Sequence, residues 1–302
     1  KDDGEGDGVP TPGEPGVYAQ PIGPPGKNIL FATAVLDSGF ANVQRIVATV
    51  VSDEGLVRVE KYLQSQVVQI PRSGSVYLAP GVLLNFQGSR FRVDGRDHDV
   101  FGNRVPGPQQ YGLSTAVAGN PGDNAAALLA QIPAPFQDQI NGRGGDPSIG
   151  EDAGGDVDID ALVDQFRANN TNELIPGTYT DLVSGNIFAG DIPVTFSGGD
   201  LVLAGNGGGA GVLVVDGNLM ITGRFTFHGL IIVRGDVMLT GGGTRISVIG
   251  STIIGQSLNA LDEADLSVLG EAELLYSSRV LDAVQSVLDT RPTYEGVYYD
   301  EN

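Results

Sequence analysis

The chain has 302 residues, 41% of them hydrophobic, no cysteine, and 37 acidic against 17 basic side chains, for a formal charge of −20. That charge repels nucleic acid and anionic membrane, and the lack of cysteine excludes disulfides, thiolate catalysis and thiolate-held metals. No apolar run reaches the roughly 18 residues that a membrane-spanning helix needs.

Residues 1–26 are acidic and rich in Pro and Gly, and they read as a stalk cut from something upstream. Such a segment has too little apolar surface to order itself, so the expectation is that it lies against a neighbouring copy in a polymer. Residues 27–74 read as a β-hairpin region, with β-branched runs at 29–36 and 43–51 around Asp37-Ser-Gly. The stretch 56–70 fits strand or helix; it is read as extended and stops at Pro71.

The main body, 75–290, carries a repeat. Gly199-Asp-Leu-Val-Leu-Ala-Gly205, Gly217-Asn-Leu-Met-Ile-Thr-Gly223 and Gly235-Asp-Val-Met-Leu-Thr-Gly241 lie in strict 18-residue register. Each phrase has a turn glycine, a polar Asp or Asn, a short apolar strand and a closing glycine, so one coil would stack directly on the next. Phe225-Thr-Phe-His-Gly229 recurs 21 residues later as Ile246-Ser-Val-Ile-Gly250, and that phrase recurs 20 later as Leu266-Ser-Val-Leu-Gly270. The fold class is mainly β: a parallel β-helix, or β-solenoid, with coils of about 18–21 residues. An earlier coil, 76–84 with 90–93, is punctuated by Gly81, Gly88 and Gly95 and stands apart across an insertion at about 110–175.

The insertion holds helices at 124–132 and 157–168. Asp156 would cap the second, whose stripe of Ile159, Leu162, Val163 and Phe166 would cover an end or a side of the solenoid. A third helix, 277–288, turns Val280, Leu281, Val284, Val287 and Leu288 toward the last coil, and 291–302 form a tail. Gly205-Asn-Gly-Gly-Gly-Ala-Gly211 lacks the Lys-Ser/Thr of a phosphate loop and reads as a flexible loop between coils.

Candidate chemistry is sparse. Asp94, Asp97 and Asp99 crowd around His98, and carboxylates at such spacings can ring a calcium ion, although the spacing is not that of an EF-hand. The competing reading is a solvated turn in which Asp94 and Asp97 bond local amides. Asp156-Val-Asp-Ile-Asp160 imitates a calcium loop, but Ala161 and Arg167 stand where a glycine and a glutamate are needed, so it reads as a charged helix start. The register stacks Asp200, Asn218 and Asp236 about 4.8 Å apart. Paired acids could serve a polysaccharide-cleaving β-helix, yet each follows a corner glycine, and a turn ladder is the better reading. His228 reads as a structural imidazole at a coil corner. With no tryptophan, and with Phe225 and Phe227 facing inward, a sugar platform is poor.

Four phrases in order resemble a family: Phe91-Arg-Val-Asp-Gly-Arg-Asp-His-Asp99, Gly142-Arg-Gly-Gly-Asp-Pro-Ser-Ile149, Gly211-Val-Leu-Val-Val-Asp-Gly217 and Phe227-His-Gly-Leu-Ile-Ile-Val-Arg-Gly235. They are similar to the large bacterial type IV pilus-assembly proteins of PilX type, over residues 75–281. The resemblance implies a non-enzymatic protein of the bacterial envelope or cell surface, connected with type IV pilus components. It carries over no catalytic residue, and the hydrophobic helix that opens family members is not in the sequence given. The expected function is a self-assembling surface filament subunit or pilus-associated solenoid, with no cofactor beyond a possible calcium ion. The alternative is a carbohydrate-binding or polysaccharide-cleaving β-helix.

Overall fold

The computed structural model describes residues 17–21, 30–37, 43–52, 55–66, 69–87, 90–152, 157–241, 243, 245–255, 266–289 and 293–301. The chain divides into two units, 1–67 with 291–302, and 68–290. The first unit opens with β1 (Val17–Pro21), β2 (Leu30–Asp37), β3 (Val43–Ser52) and β4 (Gly55–Gln66), an antiparallel meander. The hairpin is present as β2 and β3, and the ambiguous stretch after it is strand β4. Val17–Pro21, read as stalk, takes its order from β2 of its own chain; the rest of residues 1–26 lies outside the described residues.

The second unit begins with β5 (Gly74–Leu78), β6 (Leu84–Phe86), β7 (Phe91–Asp94) and β8 (Tyr111–Thr115), then α1 (Asp123–Ala130), α2 (Ala134–Gln137), β9 (Ile140–Asn141) and β10 (Ile149–Glu151). Helix α3 (Ile159–Ala168) leads to β11 (Asn172–Leu174), β12 (Gly177–Thr180) and β13 (Val183–Ser184). Regular coils follow through β14 (Val194–Ser197), β15 (Leu201–Ala204), β16 (Asn206–Val215), β17 (Leu219–Thr222), β18 (Arg224–Val233), β19 (Val237–Thr240) and β20 (Ile246–Ile254). The unit closes with β21 (Leu266–Val268), β22 (Ala272–Tyr276) and α4 (Ser278–Asp289). The final strand, β23 (Thr293–Glu301), pairs antiparallel with β4, so the segment read as a tail is a sheet strand and the solenoid is an insertion between two neighbouring strands.

Two all-parallel sheets form this unit, one of twelve strands and one of six in the order β12-β15-β17-β19-β21-β6. The fold is a mainly β, parallel solenoid with a helical insertion and a C-terminal helix. The 18-residue register is realised: Leu201 lies opposite Leu219, Leu219 opposite Val237, and Val215 opposite Val233. The next coil is longer, with Phe225 opposite Ile246. The echo at 266–270 is not in register with 246–250, however, because Leu266 pairs with Val237 while Ile246 pairs with Ala272. A short alternation of apolar and small residues suits any wall strand, so the same wording recurs on different walls.

Strands β16, β18 and β20 bend at Gly211, Gly229 and Gly250, which have φ of 108°, 149° and 144° and stand in one column. A Cβ on Gly229 would lie 1.8 Å from the Gly211 carbonyl oxygen, and one on Gly250 2.0 Å from that of Gly229. Only glycine fits both the backbone angle and the approach. Close approach also overturns the flexible-loop reading of 205–211: a Cβ on Gly208 would sit 2.2 Å from the Thr226 oxygen, and one on Gly209 1.9 Å from that of Ser184. These glycines lie in β16, between neighbouring strands.

Inside the coils, Leu201, Leu219, Val237, Phe225, Phe227, Ile231 and Val233 belong to one continuous core. On the outer side of the same walls, Val212, Val214, Leu230 and Ile232 pack under Ile159, Leu162, Val163 and Phe166 of α3 and Leu281, Val284 and Leu288 of α4. The helix stripes thus cover a side of the solenoid, and that wall is apolar on both faces. Asp158 caps α3, accepting from the Ala161 amide at 2.9 Å; Asp156 lies outside the described residues. Arg167 of α3 and Arg234 both engage Asp216, tying the helix to the coils.

The coils do not stack in chain order. The main path of the large sheet runs β10-β8-β5-β20-β18-β16-β14-β11, so the coil that stands apart in the sequence sits directly on the last repeat, with Val76 opposite Thr252. After β10 the chain passes through α3 to the far end of the stack and winds back to its own beginning. One coil is completed from both ends of the unit: β22 pairs with the first half of β20, and β5 with the second half.

Val237 is buried in the core, so Val237→Asp is expected to cost roughly 4 kcal/mol or more by stranding a carboxylate between coils. Gly229→Ala is expected to cost about 3 kcal/mol through backbone strain and carbonyl collision. Denaturant midpoints of purified variants measure both.

Candidate functional site

The phrase 91–99 lies at the closure where the two ends of the solenoid unit meet. Strand β7 pairs in parallel with β22, placing Asp94 opposite Leu275. Asp94 has no solvent exposure. Its Oδ2 accepts from Arg92 Nη2 at 2.7 Å and from Arg96 Nη2 at 2.6 Å, and its Oδ1 accepts from Arg96 Nε at 2.7 Å. Burial works to raise the Asp94 carboxyl, while His98, Arg96 and Arg92 work to lower it; the lowering wins and holds the group far below the ordinary carboxylate range.

His98 is fully buried, and its Nδ1 faces the Tyr276 carbonyl at 3.1 Å, an atom that can only accept. Its Nε2 meets Arg92 Nη2 at 2.7 Å and Asp94 Oδ2 at 3.5 Å. The two contacts ask opposite things of that nitrogen, and the shorter one assigns it as an acceptor from Arg92. The imidazole thus also steers Arg92 toward Asp94.

Asp97 points elsewhere. Its Oδ1 accepts the Ser278 amide at 2.8 Å and its Oδ2 the Ser278 hydroxyl at 2.7 Å, which caps α4 from 181 residues away. Ser277 Oγ adds a 2.6 Å bond to the His98 carbonyl. Asp99 folds into its own exposed turn, accepting from the Phe101 and Asn103 amides, both at 2.9 Å. The Asn103 side chain first, and then these amides, lower its carboxyl. The calcium set expected from Asp94, Asp97 and Asp99 therefore does not assemble: their oxygens diverge to three different partners. Among the described residues no group of three or more His, Cys, Asp and Glu side chains converges.

The corner ladder behaves as a turn device. Asp200 Oδ1 accepts the amide of Asn218, and Asn218 Oδ1 that of Asp236, each at 2.8 Å. A Cβ on Gly235 would lie 2.3 Å from Asn218 Oδ1, so the preceding glycines make room for these bonds. Phe225 and Phe227 are buried and stacked inside the coils. His228 is held by a 2.9 Å contact from Nε2 to the Val100 carbonyl and stands edge-on to Phe188. Phe188 in turn stacks on Phe101, and both rings are exposed. No signal in the sequence joins that pair, since the two residues lie far apart in the chain and outside any periodic pattern. The alternation of Arg92 and Arg96 with Asp94, by contrast, is visible in the phrase and is the local signal for the buried ion cluster. Glu151 accepts the Gly122 and Asn124 amides, both at 2.8 Å, at the start of α1, where Gly122 supplies no side-chain cap.

No protein-family profile and no curated protein matches the chain. Among solved structures, the competence-associated pilin ComZ from Thermus thermophilus aligns over 99% of this chain and 90% of its own, at 12% identity and a TM-score of 0.22. A likeness at that score carries no argument about this chain's fold or activity. No helix among the described residues is long and apolar enough to cross a membrane.

Asp94→Asn removes the charge that holds two guanidiniums at the closure, with an expected loss of about 2–3 kcal/mol at neutral pH. The native carboxyl is depressed, so its contribution is full above the unfolded value of about 4 and fades as pH falls below it. The gap between wild type and Asp94→Asn should therefore narrow between pH 4 and pH 2, read from denaturant midpoints across that range.

Proposed function

We propose that this chain is a non-enzymatic structural protein of the bacterial cell surface, a pilus-associated solenoid that self-assembles. The observation that carries the reading is the commitment of its candidate acids. Asp200 and Asn218 hold the amides of the next coil, and Asp94 and Asp97 lock the closure. No acid–base pair open to a substrate emerges from these positions. Of the phrases that resemble pilus-assembly proteins, 91–99 falls on the closure, 211–217 and 227–235 on coil walls, and 142–149 on the loop between β9 and β10. Surface location and the pilus connection rest on that resemblance. A carbohydrate-binding reading has one observation in its favour, the exposed stacked pair Phe101 and Phe188.

Purified protein is expected to release no unsaturated or reducing ends from acidic polysaccharides; release abolished by Asp236→Ala would defeat the reading. Subunits carrying −20 repel, so electron microscopy should show longer or more numerous filaments as salt or calcium is added. Deleting residues 1–16, which spares β1, should weaken that assembly. A chain that stays monomeric under all these conditions is not a polymer subunit. Glycan-array binding lost in Phe188→Ala would favour the carbohydrate reading instead.

A further inference from the structure

The two ends of the solenoid are finished differently. At one end the insertion closes the stack: Leu128 and Ile132 join the core, Gln131 Oε1 accepts the edge amide of Leu84 at 2.9 Å, and Gln139 Oε1 accepts that of Phe91 at 3.1 Å. At the other end, β11 and β12 terminate the two sheets with no strand beyond them among the described residues. Gly177 and Asp181 donate their amides to Asp200 and Ala204 of the β14–β15 coil. In a parallel ladder the intervening residues turn the other way, so Thr178 and Thr180 direct N–H and C=O out of the stack. The same alternation, fixed by the Thr171 amide on Val194, turns Asn172 and Leu174 outward.

This end is also apolar and acidic together. Ile175 is 78% exposed and Val183 72%. Along the edge coil itself, from 171 to 191, the sequence has Glu173, Asp181 and Asp191 and no Lys, Arg or His. Edges are ordinarily blunted by short strands, lysine, proline or a covering element; here β11 and β12 are short with Pro176 between them, and the residues turned outward, Asn172, Leu174, Thr178 and Thr180, carry no charge. A second copy meeting this end with its own would set like charge against like. An extended cationic segment would complete the hydrogen bonds, cover the apolar side chains and neutralise the acids.

We propose that the coil at 171–191 is a docking edge for a partner protein's β-strand in which apolar residues alternate with Lys or Arg, added to the stack as a further coil. The assignment stands independently of where the protein resides.

The test uses the full chain and three capped peptides of equal length, alternating Lys–Val, Thr–Val and Glu–Val, followed by fluorescence anisotropy. Saturable binding is expected for Lys–Val, weaker binding for Thr–Val and none for Glu–Val. Thr178→Pro with Thr180→Pro removes two outward donors and no ladder bond; it should weaken Lys–Val binding at least tenfold with an unchanged melting temperature. If that variant melts early, Glu173→Lys with Ile175→Lys tests the same edge from its side chains and should give a similar loss. Undiminished binding in a folded proline variant would reduce the effect to bulk charge and overturn the proposal. So would absence of saturable Lys–Val binding, or a dimer in sedimentation that the proline variant abolishes, since the occupant would then be a second copy.

Discussion

Close stacking of successive coils is the constraint from which the rest follows. Parallel strands stand roughly 4.8 Å apart, and wherever the backbone must turn within that spacing, a side chain has no room. The column of Gly211, Gly229 and Gly250 meets this limit at the bends, with each carbonyl occupying the place of the next residue's missing Cβ. The glycines before Asp200, Asn218 and Asp236 meet it at the opposite corner, where the freed space admits a side-chain oxygen to the next amide. The 18-residue register from Gly211 to Gly229 and among the corner glycines is the trace of these two columns, and the longer coil that follows still returns Gly250 to its slot beside Gly229.

Polar chemistry in the interior follows from the second constraint, that the unit must close on itself. A buried carboxylate is unfavourable unless it is fully bonded, and Asp94 is bonded by two guanidiniums while β7 lies against β22. His98 and Ser277 bind the backbones across the same junction, and Asp97 starts the helix that leaves it. The one polar cluster that looked chemical is the fastening of the scaffold.

Much of this was legible locally. The 18-residue repeat specified parallel stacking, and the stripes at 159–166 and 280–288 specified helices with one apolar face. What local text does not contain is the identity of a distant partner. Val17–Pro21 looks like linker until β2 is placed beside it, and 293–301 looks like a tail until β4 is. The glycine run at 205–211 has the composition of a loop, yet close backbone approach demands the same composition. Asp94, Asp97 and Asp99 are near neighbours in sequence, but strand alternation and the following turn aim them apart, so proximity along the chain overstated their convergence.

The shared coil bears on how the chain folds. A solenoid wound in sequence order can nucleate anywhere and lengthen by neighbours alone. This one cannot, because Ser251 bonds Gly74 across 177 residues, and β5 has no full seat until β20 and β22 exist. During synthesis the first coil must wait for nearly the whole unit to emerge, holding unpaired strand edges meanwhile. Such long-range closure slows folding, but it also removes the free chain end from which an open stack would fray.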